Sequence, residues 1–156
     1  MAMPDLMDTH IENRERVQPN HANNLNTAHG GHVMKWLDEV GAMSAMRFSG
    51  RDCVTAQMDQ FNFRRPIPVG DTTVIESYVY GAGATSIRVR LKAARENPRT
   101  GEQELTTESY AVYVAIDEEL DPVEVPDLTV RTERGRRLRE TALEGEEPRG
   151  RAGGEP

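Results

Sequence analysis

Residues 30–50, GGHVMKWLDEVGAMSAMRFSG, decide the architecture. Placed at the helical repeat, Met34, Leu37, Gly41, Ala45 and Phe48 form one apolar stripe, while Lys35 and Glu39 fall together on the far side, an i,i+4 pair facing water. Ser49-Gly50 stops the pattern with residue types that end helices. The segment therefore reads as one long amphipathic helix, opened by the pair Gly30-Gly31. Its two adjacent acids have different fates. Glu39 is a solvated surface acid, whereas Asp38 falls on the edge of the stripe beside Ala45 and is expected to be partly or wholly buried. A buried carboxylate costs free energy unless it is paired, hydrogen-bonded or used chemically, so Asp38 either organises a neighbouring loop or acts on a ligand.

Downstream of the helix come CVTAQMDQFNF (53–63), TTVIESYVYGA (72–82), TSIRVRLKAAR (85–95) and ELTTESYAVYVAI (104–116), rich in Val, Ile, Tyr and Thr and separated by the turn signals RRPIPVGD, GAG and ENPRTGE. In the third, Ile87, Val89 and Leu91 alternate cleanly with Ser86, Arg88, Arg90 and Lys92. Sequential strands with short turns read as antiparallel meanders, and one long helix against one antiparallel sheet is an α+β two-layer architecture. Upstream, residues 19–29, PNHANNLNTAH, read as an irregular loop, and the first dozen residues as polar and loose.

One domain fits in 156 residues, with little room for a second. The working domain spans roughly 10–127, followed by a charged tail over 128–156. Within the tail, only Leu138 and Leu143 offer large apolar side chains, enough for a short helix across Thr132–Leu143, and the final GEEPRGRAGGEP is expected to be disordered. Residues 131–156 carry seven arginines and six glutamates, so of the net charge of −7 the first 130 residues hold −8. An acidic domain lacks the basic face that nucleic acid requires. No apolar run approaches the length of a membrane span, and residues 1–16 show neither the basic nor the apolar region of a signal peptide. With a single cysteine, Cys53, no intrachain disulfide forms, and a cytoplasmic protein is expected.

The residues that could carry chemistry lie around the helix. A glycine pair at a helix N-terminus lets ligand atoms approach free N–H groups with partial positive charge, a setting for a developing oxyanion. Asp38 lies about 10 Å further along the same helix, too far to touch a carbonyl held at the Gly-Gly end. The acid must therefore serve another helix end, act through water, or belong to a site drawn from two chains. His21, His29 and His32 cluster in sequence, but no further ligands complete a metal set, so no metal is expected. Cys53 lacks any nucleophile signature, and there is neither a phosphate loop nor a dinucleotide fingerprint. The asparagines of residues 20–26 serve equally as turn formers or, at Asn23, as a catalytic amide.

The ordered set Pro19, Asn23, His29-Gly30-Gly31 and Leu37-Asp38-Glu39, continuing through Cys53-Val54-Thr55-Ala56, Asp59, Phe63, the PIPVGD turn, Thr85-Ser86 and the ENPRTGE turn, resembles the acyl-CoA thioesterases of the hotdog fold, most of all the cytosolic acyl-CoA hydrolase family. The likeness covers about residues 17–127. It implies a hotdog fold, one long helix wrapped by a five- or six-stranded antiparallel sheet, and hydrolysis of acyl-CoA to a free fatty acid and CoA. It further implies that Asn23 (or its neighbour Asn24) of one chain and Asp38 of another share a site at a homodimer interface, that dimers assemble as a trimer of dimers, a hexamer, and that no cofactor is needed, CoA being part of substrate and product. Asp38 would act as general base or as nucleophile, and the backbone at Gly30, Gly31 and His32 would hold the thioester oxygen. The CoA phosphates call for local cations, with Arg64, Arg65 and Arg88 the candidates beside Thr85 and Ser86; Arg90 is a further one. The alternatives are a non-catalytic acyl-CoA-binding hotdog module and a hotdog hydratase or dehydratase.

Overall fold

The structure, a computed structural model, describes residues 3–146. In chain order its elements are α1 (Leu6–Thr9), β1 (Ile11–Arg16), α2 (Gly30–Ser49), β2 (Asp52–Met58), β3 (Thr72–Ala82), β4 (Ser86–Glu96), β5 (Gln103–Ile116) and α3 (Glu133–Glu146). The expected long helix is α2. It ends where Gly50 takes a left-handed conformation at φ 68° and donates its N–H to the Met46 carbonyl.

The five strands form one antiparallel sheet in the order β1-β3-β4-β5-β2, wrapped along α2. This is the hotdog architecture that the resemblance implies. Alternation sends Ile75, Val79, Ile87, Val89, Leu91, Ala111, Tyr113 and Ala115 toward the helix, where they pack on Val33, Leu37, Val40, Ala45 and Phe48. Hairpins join β3, β4 and β5 as a meander, but β2 departs from that pattern: it crosses to the far edge and pairs with β5 rather than β3. Residues 59–63 are also not strand. The chain leaves the sheet after Met58, with Phe61 and Phe63 stacked on each other.

The helix buries a face rotated from the expected stripe. Val33, Trp36, Val40 and Ser44 are buried with Leu37 and Phe48, while Met34 is 39 % exposed; Met43 and Met46, further along the helix and on other sides of it, are exposed too. Lys35 and Glu39 are both exposed, as expected, without an ion pair joining them.

Residues 3–12, expected to be loose, are ordered. Asp5 caps α1 in a reciprocal capping box with Asp8, Leu6 is fully buried, and β1 pairs along β3. At the other end α3 forms and extends beyond the expected Leu143 to Glu146. The part of the expected disordered end from residue 147 onward lies outside the described residues. Helix α3 covers the sheet face opposite α2, where Tyr78, Tyr80 and Tyr110 pack with Leu6 and Ala142. The Tyr78 and Tyr110 hydroxyls donate to the Leu138 and Ala142 carbonyls, and the Tyr80 hydroxyl to the Glu146 carboxylate. On the polar side of β4, Arg88 and Arg90 thus lie against this helix and not in open water. No helix among the described residues is long and apolar enough to cross a membrane.

Candidate active site

Asp38 is half-buried on α2, and its surroundings are set by the two strands at the β2 edge of the sheet. Thr55 of β2 and Tyr113 of β5 are direct cross-strand partners, so their side chains share a face. That face looks at the helix. The Thr55 hydroxyl donates to Asp38 Oδ1 at 2.9 Å, and the Tyr113 hydroxyl lies 3.0 Å from both Oδ1 and the Asp38 carbonyl oxygen. The β2–β5 register slips immediately after Thr55, a β-bulge next to the carboxylate. Burial first, and then the Asp38 charge, push the Tyr113 hydroxyl far above the usual tyrosine range, so it is a fixed donor. Cys53, in the same strand as Thr55, is half-buried against Ser49; burial raises its thiol above the ordinary value and keeps it protonated and inert.

The other half of the expected site is at the start of α2. A cavity of about 350 Å³ is lined there by Asn23, Gly30, Val33, Phe63, Arg64 and Arg65, among others. The loop before the helix is pinned to the turn at residues 66–71: Ala28 N donates to the Ile67 carbonyl and Val69 N to the Asn26 carbonyl. Asn23 organises this loop. Its Oδ1 accepts from Leu25 N and Thr27 N, and its Nδ2 donates to Thr27 Oγ1, so the amide that lines the cavity also closes an Asx turn. Asn24 is exposed and does not line the cavity.

The helix N–H groups are not all available. His29 caps the helix by accepting the Gly31 N–H on Nδ1 at 3.0 Å, and the His32 N–H donates to the His29 carbonyl. A Cβ at Gly31 would lie only 3.0 Å from that Nδ1, so the cap itself favours glycine there. Among the described residues nothing accepts from the Gly30 N–H, and Gly30 lines the cavity. Of the expected oxyanion residues Gly30, Gly31 and His32, Gly30 is thus the one whose N–H is left open beside the cavity. The rings of His21, His29 and His32 gather beside Trp36, yet among the described residues no cluster of His, Cys, Asp and Glu is arranged to hold a metal.

One chain does not bring the two halves together. Asp38 is absent from the lining of the Asn23 cavity. The expected CoA-binding residues divide in the same way. Arg64 hydrogen-bonds through its N–H to the Thr106 carbonyl at one end of β5, whereas Ser86 pairs with Val114 near the other, roughly 27 Å along the strand. Thr85 joins Ser86 there, donated to by Ala115 N. Arg88 lies on the opposite face of the sheet, over the Tyr80 ring and 3.7 Å from Glu146, and Arg90 is 2 % exposed, held by Glu108 and the Ser109 carbonyl. Both arginines are occupied under α3. Sequence reading missed Thr55 and Tyr113 as parts of the site. Its alternation recovers their strands, but only the register shows that they meet Asp38.

Residues 25–102 match the family model of the thioesterase superfamily. An uncharacterized acyl-CoA thioester hydrolase of Bacillus subtilis is 37% identical over 137 residues, covering 88% of this chain and 80% of that protein. The chain belongs to the thioesterase superfamily. Among solved members of the superfamily, a hexameric acyl-CoA thioesterase is 35% identical with a TM-score of 0.83, over 94% of this chain and 95% of that one. The acyl-CoA hydrolase of Staphylococcus aureus, solved with butyryl-CoA, CoA and CoA disulfide, is 28% identical with a TM-score of 0.85, over 95% and 90%. That hydrolase has also been solved as separate Asp-to-Ala, Thr-to-Ala and Asn-to-Ala variants, the last with CoA.

Proposed function

We propose that this thioesterase hydrolyses acyl-CoA to a free carboxylic acid and CoA, with Asp38 as the acting carboxylate. The observation that carries the reading is a half-buried helix carboxylate held through one oxygen by two hydroxyls, its second oxygen left for chemistry. The separations support the assignment. The Asn, Asp and Thr replaced in the Staphylococcus aureus enzyme are fifteen and seventeen positions apart, as are Asn23, Asp38 and Thr55.

In the reaction, Asp38 Oδ2 takes a proton from water as the water oxygen bonds to the thioester carbon; in the nucleophilic variant Oδ2 itself bonds to that carbon and water then cleaves the anhydride. The carbonyl oxygen gains charge and is held by the Gly30 N–H at the positive end of α2. The C–S bond breaks, and the CoA sulfur leaves and takes up the proton. Asn23 orients water or the carbonyl, and Arg64 and Arg65 on the cavity wall meet the CoA phosphates. No cofactor takes part.

The two half-sites complete each other in a homodimer, Asp38 with Thr55 and Tyr113 from one protomer facing Asn23 and Gly30 of its partner. The exposed Met34, one turn before Asp38 on the same side of α2, offers an apolar side chain suited to that contact. Dimers assemble further as a trimer of dimers, in keeping with the hexameric relative.

The test is thiol release from acetyl-, butyryl-, octanoyl- and palmitoyl-CoA by the purified protein. Release above background with at least one of them is expected. No release from any of the four would leave a non-catalytic acyl-CoA-binding module or a hydratase as the better reading. Full rate in Asp38→Asn would sink the site assignment while leaving the activity intact.

A further inference from the structure

We infer that Tyr113 is a positioning residue, which fixes the Asp38 carboxylate through Oδ1 so that Oδ2 performs the chemistry, and that Gly41 is the residue that lets it reach. The inference rests on the assignment of Asp38 as the acting carboxylate. Tyr113 is fully buried, and its ring reaches α2 from near the C-terminal end of β5. A tyrosine buried this deeply needs one acceptor for its single proton, and the Asp38 carbonyl alone, at 3.0 Å, would supply it. The hydroxyl instead stands at the same distance from Oδ1, where it spans the side chain and the main chain of one residue. That arrangement resists rotation of the carboxylate about its own side-chain torsions. Thr55 approaches the same oxygen from the neighbouring strand, so Oδ1 is held from two directions, and nothing among the described residues is bonded to Oδ2.

Gly41 supplies the independent observation. It is buried in the middle of α2, where glycine is a poor helix former and where its backbone is ordinary helix. Space is the reason for it: a Cβ at this position would lie 2.4 Å from the Tyr113 hydroxyl and 2.8 Å from Leu91 Cδ2. Any side chain at residue 41 would force the hydroxyl away from Asp38. The helix gives up a better helix former one turn from its only half-buried acid, and the hydroxyl occupies the room.

A merely structural tyrosine would affect folding and leave the chemistry alone, so the test separates kcat from KM. With the best substrate of the graded acyl-CoA series, Tyr113→Phe is expected to lower kcat on the order of 10- to 100-fold with KM within about threefold, in protein with unchanged circular dichroism. In the Asp38→Asn background, itself down on the order of 1,000-fold, Tyr113→Phe should cause no further loss, because the group it positions is gone. Gly41→Ala approaches the same contact from the helix side and should reproduce the kcat loss, which keeps the test open if one variant fails to fold. Wild-type kcat in folded Tyr113→Phe or folded Gly41→Ala, a loss confined to KM, or an equal loss in both backgrounds would overturn the inference. If Asp38→Asn keeps the wild-type rate, the assignment of Asp38 fails first and the inference falls with it.

Discussion

Thr55 and Tyr113 oppose each other across β2 and β5 and place their hydroxyls on one oxygen of Asp38. A cross-strand pair is rigid because the ladder on either side fixes both Cα positions. Two donors mounted on such a pair define a direction as well as a contact, and the helix acid they hold can present its other oxygen to only one side. The β-bulge that follows Thr55 leaves Ala56 without a partner in the ladder, and pairing resumes with Gln57 opposite Val112, so the register that holds Thr55 against Tyr113 ends at the carboxylate.

Thr55→Val keeps the shape of the side chain and removes the donor. Because Thr55 is exposed, the folded state should lose less than about 0.5 kcal/mol, while kcat falls roughly 10-fold as Oδ1 loses one of its two anchors. Guanidinium unfolding and steady-state thiol release on the same preparation test both parts. An unchanged kcat would mean that Tyr113 alone is sufficient.

The acid stability of the fold depends on a pair far from the site. His10 Nε2 lies 2.7 Å from Glu76 Oε2, joining the start of β1 to β3, and this hydrogen bond, partly opposed by burial, holds the Glu76 carboxyl below the usual range. A carboxyl with a depressed folded-state pKa stabilises the protein fully above its unfolded value, about 4.3, and that stabilisation is lost as pH falls through the folded value. Glu76→Gln should therefore be less stable than wild type at pH 6, and the difference should shrink as pH falls below about 4.3 toward the depressed folded value. Urea midpoints across pH 3.5–6 measure it; parallel curves would show that the pair contributes nothing.

Helix α3 is held by the hydroxyls of Tyr78, Tyr80 and Tyr110 and by the buried Ala142. Placing a charge at that buried position leaves it without a partner, so Ala142→Asp should cost about 3 kcal/mol or release the helix. Trypsin reports the difference: the run Arg134, Arg136, Arg137 and Arg139 should be cut rapidly in Ala142→Asp and slowly in wild type. Equal rates would mean that the helix is not docked in solution.

What the sequence reveals follows from which forces are local. The bounds of α2 are legible because Gly30-Gly31 and Ser49-Gly50 act through their own backbone, and four of the five strands are legible from residue type. Residues 59–63 read as strand because Phe61 and Phe63 have strand composition, although they stack on each other outside the sheet. Asp38 stands out because its place on the helix edge is fixed by the helical repeat. Thr55 and Tyr113 do not, since their pairing joins residues far apart in the chain. Arg88 and Arg90 show the same limit from the other side: alternation separates two faces of β4 but does not say that α3 covers one of them.

The shared site has a direct test in subunit mixing. Asn23→Ala removes one half-site and Asp38→Ala the other, so each variant alone should be nearly inactive. If a site takes Asn23 from one protomer and Asp38 from its partner, a mixed dimer contains one doubly damaged site and one intact site. The intact site draws its asparagine from the Asp38→Ala chain and its aspartate from the Asn23→Ala chain. Random reassociation of equal amounts makes about half of the dimers mixed, so about a quarter of all sites, and about a quarter of wild-type activity, should return. A site contained in one chain predicts no recovery at any ratio, because each chain carries its own defect wherever it assembles. The two variants are denatured together, refolded, and compared with the same proteins refolded separately and then combined. Recovery confined to the co-refolded sample would tie it to exchange of partners within the dimer, and activity in the separately refolded mixture would trace to residual activity of the variants or to spontaneous subunit exchange, which a time course distinguishes.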